Sequence, residues 1–471
     1  MRIVVLNGSP KGKQSITLQY VNFLRRKYSG HEFEVFHVSQ TIKGLEKNEK
    51  AFGEIIEAVR SADGVLWSFG LWVLAVSAQL MRFIELISER GVQDAFRGKY
   101  TAAVSTSIHY YDHTAHNYIR GVCEDLEMHY VDGFSLDILD MMNEEVRKQL
   151  CLFADNFFGA ADSRSATSTL FPPITYSDFE YRPSQPEARI PSRGQRVLVL
   201  TDRYDRESNL GKMIDRFRQS YEEEIEVIDL REIDIKGACI GCMQCGYDYT
   251  CQYQDGFTEF YNDRVRAADV LVFAGAMQGR YLSSLWKTFY DRAFFWNHTP
   301  SLSGKQMGYL VSGPLTQNAN LIQILEASTI ARQHAGHVDI ITDESGDSPL
   351  IDAQLQSLAE RLVCFSESGY LKPQNFLGVG GHKIFRDDVW GRLRPLWQAD
   401  HRHYRKHGFY DFPQRDLKVR LMRPTMMLLL TCFPSFRRKF YQKVKGFPAK
   451  RFSKLIDKLV PAKSQDGGTD S

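Results

Sequence analysis

Short aliphatic runs and amphipathic stretches alternate along most of the chain. Ile3 to Leu6 is a compact apolar run, followed by a Gly/Ser/Pro loop and then, from about Ser15 to Arg26, by apolar positions at helical spacing. The pattern next predicts a strand over Glu34–Val38, a helix over Ala51–Arg60, a strand over Gly64–Ser68, a helix over Ser77–Glu89 and a strand over Tyr100–Ser105. Strands that alternate with helices predict a parallel sheet covered on both faces. Residues 161–195 lose this rhythm, become rich in Ser, Pro, Thr and Tyr, and read as an interdomain linker or an ordered crossing segment. The series then restarts with a strand over Arg196–Leu200, a helix from Asn209, a strand over Ile225–Leu230 and a helix from about Thr258. A strand over Val270–Ala274, a helix over Ser284–Phe294 and a strand over Gly308–Ser312 complete it.

The two series align. Arg60-Ser-Ala-Asp-Gly-Val-Leu-Trp matches Arg266-Ala-Ala-Asp-Val-Leu-Val-Phe, and each is followed by a loop and an amphipathic helix opening at Ser77 or Ser283. The expected architecture is therefore two tandem α/β domains, 1–160 and 196–375, joined by 161–195. A chain of 471 residues also exceeds what one core usually organises. With 43% apolar and 25% charged residues, wholesale disorder and a polytopic membrane protein are excluded. The opening apolar run has no Ala-x-Ala cleavage site after it and reads as a strand, which sets the expectation of a reducing, cytoplasmic compartment.

Charge changes the picture at the far end. The net charge of +2 conceals 16 Lys/Arg against 3 Asp in residues 401–460, where residues 1–400 carry 42 basic against 52 acidic residues. Residues 376–471 thus form a basic, mostly helical C-terminal extension. In it Arg437, Arg438, Lys439, Lys443, Lys445, Lys450, Arg451, Lys454 and Lys458 interleave with Phe440, Tyr441, Phe447 and Phe452. The segment from Leu421 to Pro434 holds only about ten strongly apolar residues, against the ~20 that span a bilayer. Peripheral attachment to an anionic membrane surface, at the inner face, and docking onto the acidic body both remain open. No other feature of the chain supports a nucleic-acid partner. Residues from Lys463 onward read as disordered.

Two motifs carry chemistry. The first is Asn7-Gly-Ser-Pro-Lys-Gly-Lys-Gln-Ser-Ile-Thr17, where a first strand hands over to a first helix. Free amides and the positive helix end suit a phosphate there, with Ser9, Ser15 and Thr17 offering hydroxyls and Lys11 or Lys13 adding charge. The spacing is neither Gly-x-Gly-x-x-Gly nor a Walker loop, which favours a monophosphate such as that of FMN over a dinucleotide or triphosphate. The plainer alternative is a helix cap in an ordinary turn. The loop Thr201 to Asn209 of the second half puts three carboxylates at the corresponding place, which disfavours a phosphate.

The second motif is Cys239-x2-Cys242-x2-Cys245-x5-Cys251, in the loop after the second strand of the second half. Four of the eight cysteines crowd into this one run, a density typical of metal ligation rather than of disulfides. Two-residue spacers suit a [4Fe-4S] cluster, because the backbone can wrap a cubane corner by corner. Structural zinc more often uses two separated pairs, and it remains an alternative together with redox-active or vestigial thiols. His109, His113 and His116, with Tyr110, Tyr111 and Asp112, form a polar aromatic loop that could cap a flavin or ligate metal.

The first motif resembles the opening of the NADPH-dependent FMN reductase family, whose flavodoxin-like members begin with a strand and an Asn-Gly-Ser-Pro-Arg-like loop ending in a Ser/Thr pair; here Lys11 replaces the Arg. The resemblance implies two tandem flavodoxin-like doubly wound parallel-sheet domains. It also implies FMN bound by Ser9, Pro10, Lys11, Ser15, Ile16 and Thr17, and by the loops Ser68-Phe69-Gly70-Leu71-Trp72 and Ser105-Thr106-Ser107-Ile108-His109. The first ring loop departs from the family's Ser-Pro-x-Tyr-like stretch. The cysteine run resembles that of iron–sulfur flavoproteins, which implies Cys239, Cys242, Cys245 and Cys251 as ligands and a cluster that approaches the flavin of the other half. The function implied is an FMN-dependent NAD(P)H oxidoreductase moving electrons between NAD(P)H or a ferredoxin-like donor, FMN, the cluster and an unidentified small-molecule or protein acceptor. The competing class is a non-catalytic flavodoxin-like scaffold or zinc-stabilised interaction protein at the membrane surface.

Overall fold

A computed structural model describes residues 1–410 and 417–444, with 452, 453, 455, 456, 458 and 459. In the first half, strands β1 (Arg2–Asn7), β2 (Glu32–Phe36), β3 (Gly64–Gly70), β4 (Tyr100–Ser107) and β5 (His129–Asp137) form one sheet. Helices α1 (Ile16–Lys27), α2 (Ile42–Lys47), α3 (Glu49–Ser61), α4 (Ala78–Glu89), α5 (Asp112–Asp125) and α6 (Glu144–Ser163) flank it. The second half repeats the plan with β6 (Val197–Thr201), β7 (Glu226–Asp229), β8 (Val270–Ala276), β9 (Gln306–Ser312) and β10 (Gly336–Thr342). Its helices are α7 (Asn209–Gln219), α8 (Phe257–Phe260), α9 (Ser284–Arg292), α10 (Ala319–Gln333) and α11 (Ser348–Ser368). Strand order is β2-β1-β3-β4-β5 in one sheet and β7-β6-β8-β9-β10 in the other, every pairing parallel. Both are therefore doubly wound flavodoxin-like sheets. In this order the winding of the connections reverses between the first and third strands, and ligands bind outside the carboxyl ends there.

The apolar runs explain the burial. β1, β3 and β8 are enclosed along nearly their whole length, because helices cover both faces. α1 and α6 close the outer face of the first sheet over Ile3, Val5, Leu66 and Val104, and α7 and α11 close the outer face of the second over Val197, Val199 and Val272. The inner faces do not form separate cores. Leu6, Trp67 and Phe83 of the first half join one cluster with Phe273, Trp286 and Tyr309 of the second. The tandem copies thus fold as a single body, as a dimer with a buried interface would.

Residues expected as a linker run from the end of α6 across this body and are anchored along the way. The Leu170 and Phe171 amides donate to Glu124, the buried Tyr181 hydroxyl and the Ser184 amide donate to Asp352, and the Ile190 amide donates to Ser220. Helices α12 (Phe376–Trp390) and α13 (Gln398–Lys406) follow. As far as Tyr404 they belong to the same compact unit as the sheets, so the extension expected from residue 376 is part of that unit up to Tyr404, and a second unit starts at Arg405. Arg392 makes a bidentate pair with Asp137 of the first half, and buried Asp400 accepts from His298 Nδ1 at 2.7 Å in the second. The second unit contains α14 (Leu417–Cys432) and α15 (Pro434–Val444). Lys445, Phe447, Lys450, Arg451, Lys454 and everything from Lys463 lie outside the described residues.

Candidate functional site

The loop after β1 is braced from within. Asn7 accepts the Ser9 amide through Oδ1 and donates from Nδ2 to the Gly12 carbonyl at 3.1 Å, with His37 Nδ1 2.8 Å from the same nitrogen. Ser9 Oγ accepts the Lys11 amide, and Ser15 caps α1 by accepting the Leu18 amide. Among the described residues, the amides of Lys13, Ile16 and Thr17 have no partner. They stand at the positive end of α1, a favourable place for an anion. Pro10 is buried beneath the turn, Ile16 is exposed, and the Thr17 hydroxyl is spent on the Phe69 carbonyl and on Thr106. Thr17 thus contributes its amide to this surface and its side chain to the joint between β3 and β4.

The other expected residues surround the strand ends. Ser68 Oγ is buried and has no hydrogen-bond partner among the described residues. A buried unpaired hydroxyl costs about 1–3 kcal/mol, which a polar ligand could offset. Phe69 is fully buried in the central core, 5.5 Å from the His116 ring. Gly70 ends β3, Leu71 donates its amide to Thr106, and Trp72 is half-buried at the mouth. Ser105 Oγ lies 2.8 Å from His116 Nε2 and 3.3 Å from Ser135 Oγ, and Ser107 accepts the His109 amide. His109, at φ +61°, is held by Asp112 at 2.8 Å. That hydrogen bond raises the His109 pKa despite partial burial. Burial pushes the Asp112 carboxyl up, but hydrogen bonds from His109 and Ser135 outweigh it and hold the group well below the usual carboxylate range. Burial lowers His116 to about 4. The three histidines face different partners, His113 turning to Gln323, so they do not converge as a metal site.

The four cysteines do come together. Cys239, Cys242, Cys245 and Cys251 line one cavity of about 40 Å³, walled by Trp72, Tyr253, Arg292, Phe294 and Phe295. Among the described residues no group of three or more His, Cys, Asp or Glu is set to hold a metal ion. A structural zinc would draw its thiolates to ~2.3 Å. The loop is organised by protein contacts. Fully buried Arg292 forks onto Asp255 at 2.7 Å, donates to the Gly237 carbonyl and approaches Cys251 Sγ at 3.9 Å. Asn297 and, from the other half, Gln79 donate to the Cys245 and Cys239 carbonyls. Burial pushes the Cys239 thiol up to about 12 and raises Cys245 as well. Gly241 has φ +66°, and a Cβ there would stand 2.5 Å from the Trp72 ring and 2.9 Å from Lys11 Cε. Only glycine fits this approach of the two halves.

Sequence reasoning missed Asn7, His37, Gln79 and Arg292. The first lay inside the quoted motif. The others sit in elements whose amphipathic pattern accounts for them without a site, and only the fold brings them to it. The corresponding loop of the second half is bound differently. The buried Asp202 carboxylate accepts from the Ser283 hydroxyl, and burial raises its pKa to about 6.

Fold and strand-end loops together define a flavodoxin-like flavin-binding class. The family described as NADPH-dependent FMN reductase matches twice, over residues 1–138 and 195–338 and so over more than half of the chain, and the chain belongs to that family. Solved structures similar to it include an apo NADH:FMN oxidoreductase, with 19% identity over 34% of this chain and 89% of that one, at a TM-score of 0.28. An FMN-dependent NADH-azoreductase from Bacillus anthracis str. Ames Ancestor in complex with FMN shares 14% identity over 36% of this chain and 99% of that one, at a TM-score of 0.30. General stress protein 14 from Treponema denticola in complex with FMN shares 12% over 34% and 98%, at 0.25. No curated protein matches the chain.

Proposed function

We propose that this chain is an FMN-dependent NAD(P)H oxidoreductase. Its first half holds FMN and its second half holds a [4Fe-4S] cluster on Cys239, Cys242, Cys245 and Cys251. The observation that carries this reading is the place of Trp72: it belongs to a strand-end loop of the first half and is also a wall of the cysteine cavity of the second. The amides of Lys13, Ile16 and Thr17 would receive the phosphate, and Ser68, Trp72 and the Ser105–His109 loop would border the ring. FMN would supply exchange between a two-electron donor and one-electron partners. The half-exposed His109, its pKa raised by the hydrogen bond to Asp112, stands ready as a hydrogen-bonding group at the strand ends. The cysteine residues suit a cluster, since four thiols line one aromatic-walled cavity with Arg292 beside them.

The second half takes no FMN in this reading, because its loop Thr201 to Asn209 carries the carboxylates of Asp202, Asp205 and Glu207 in place of a phosphate loop. The donor is a nicotinamide, in keeping with the family. α14 and α15 expose Leu421, Met422, Met427, Leu428, Phe433 and Tyr441 beside Arg423, Arg437 and Arg438, which supports attachment to an anionic membrane surface. Among the described residues no helix is long and apolar enough to cross a membrane. The cofactor content of the anaerobically purified chain tests the central reading: FMN with iron and sulfide supports it, and zinc without flavin refutes it.

A further inference from the structure

Lys11 belongs by sequence to the phosphate loop, yet its side chain leaves that loop. Lys11 Cε packs where a Cβ of Gly241 would stand, at 2.9 Å, with the Trp72 ring beside it at 2.5 Å. Both residues come from the first half, and Gly241 lies between Cys239 and Cys242 of the second. Gln79, also from the first half, binds the Cys239 carbonyl at 3.0 Å.

We propose that Lys11, Trp72 and Gln79 of the first half complete the cysteine site of the second, and that Lys11 is the counter-charge of the cluster held there rather than a ligand of the FMN phosphate. This rests on the reading of the four cysteines as cluster ligands. A cluster held by four thiolates gains negative charge on reduction, and its potential follows the charge and hydrogen bonding around it. Lys11 on one side and Arg292 at 3.9 Å from Cys251 on the other stabilise that added charge. The first half would then set the potential of a site whose ligands all lie in the second. Lys11 is a positioning residue in this account, and Lys13 and the α1 amides serve the phosphate.

The test is an anaerobic redox titration of the full chain, followed by EPR, for wild type, K11Q and K11R, with FMN and iron quantified in each. K11Q is expected to keep its FMN and to be about tenfold harder to reduce at the cluster, a shift of ~59 mV to lower potential for one electron. K11R, which keeps the charge, is expected to stay near wild type. Loss of FMN from K11Q at an unchanged cluster potential overturns the proposal. So does an equal shift in K11Q and K11R, which marks packing at Gly241 rather than charge. A wild-type chain without iron overturns the cluster reading itself, and the proposal falls with it.

Discussion

His116 shows how a single buried residue couples the site to pH. Its Nε2 contacts Ser105, its Nδ1 has no partner among the described residues, and burial lowers it to about 4. An unfolded histidine titrates near ~6.5. Between those values the unfolded chain binds a proton that the folded chain refuses, so stability falls as pH drops from about 6.5 to about 4, by ~3 kcal/mol in all. H116Q should flatten that part of the profile in urea unfolding at pH 7 and pH 5, whatever it costs at neutral pH. An unchanged slope would contradict the assignment. His334 and His337, also lowered to about 4, act in the same direction. The difference between variant and wild type isolates His116. At this scale the sequence was legible only where a motif concentrated the signal. The loop Asn7–Thr17 and the cysteine run declared themselves, whereas the burial of Phe69 and the turn of Lys11 across the body depend on contacts made by distant segments.

At the scale of elements, the duplication was legible in the Ser77 and Ser283 helix openings, and the structure adds what they do for each other. α4 and α9 pack together and cap one another reciprocally. The Ser284 amide and hydroxyl donate to Glu85 at 2.5 and 2.6 Å, and the Ala78 amide donates to Asp291 at 2.9 Å. Glu85 and Asp291 hold equivalent places in the two copies, but only Asp291 also pairs with a fully buried lysine, Lys287. E85A should therefore cost about 1–2 kcal/mol, the value of a lost cap. D291A should cost more, ~3–5 kcal/mol, because it leaves Lys287 buried without its counter-ion. Chemical denaturation checks both, and equal losses would contradict the asymmetry. The elements that the pattern did not reveal have physical reasons. β5 and β10 are edge strands carrying Asp132 and Asp339 among half-buried positions. α10 is enclosed on several sides and buries Asn320, Ser328, Thr329 and Gln333, so it has no clean polar face to read.

At the scale of the whole molecule, the fold class and the tandem plan followed from strand and helix spacing, but the joining of the inner faces into one core did not, since no local pattern encodes it. The basic C-terminal region gives a prediction of its own. The full chain should co-sediment with vesicles rich in phosphatidylserine, and a chain ending at residue 410 should not, although it retains the compact unit Met1–Tyr404. Binding should weaken as salt rises, because screening shortens the reach of the Lys/Arg charges. Sedimentation of both chains alike, or of neither, would contradict membrane attachment through this region.

The central claim is a division of labour within one chain, FMN in the first half and a cluster in the second. The most direct measurement is FMN, iron, sulfide and zinc on one anaerobically purified sample, with its visible spectrum. The account predicts one FMN and about four irons with matching sulfide per chain. Two FMN per chain would contradict the exclusion of FMN from the second half, and zinc without flavin would contradict the redox function altogether.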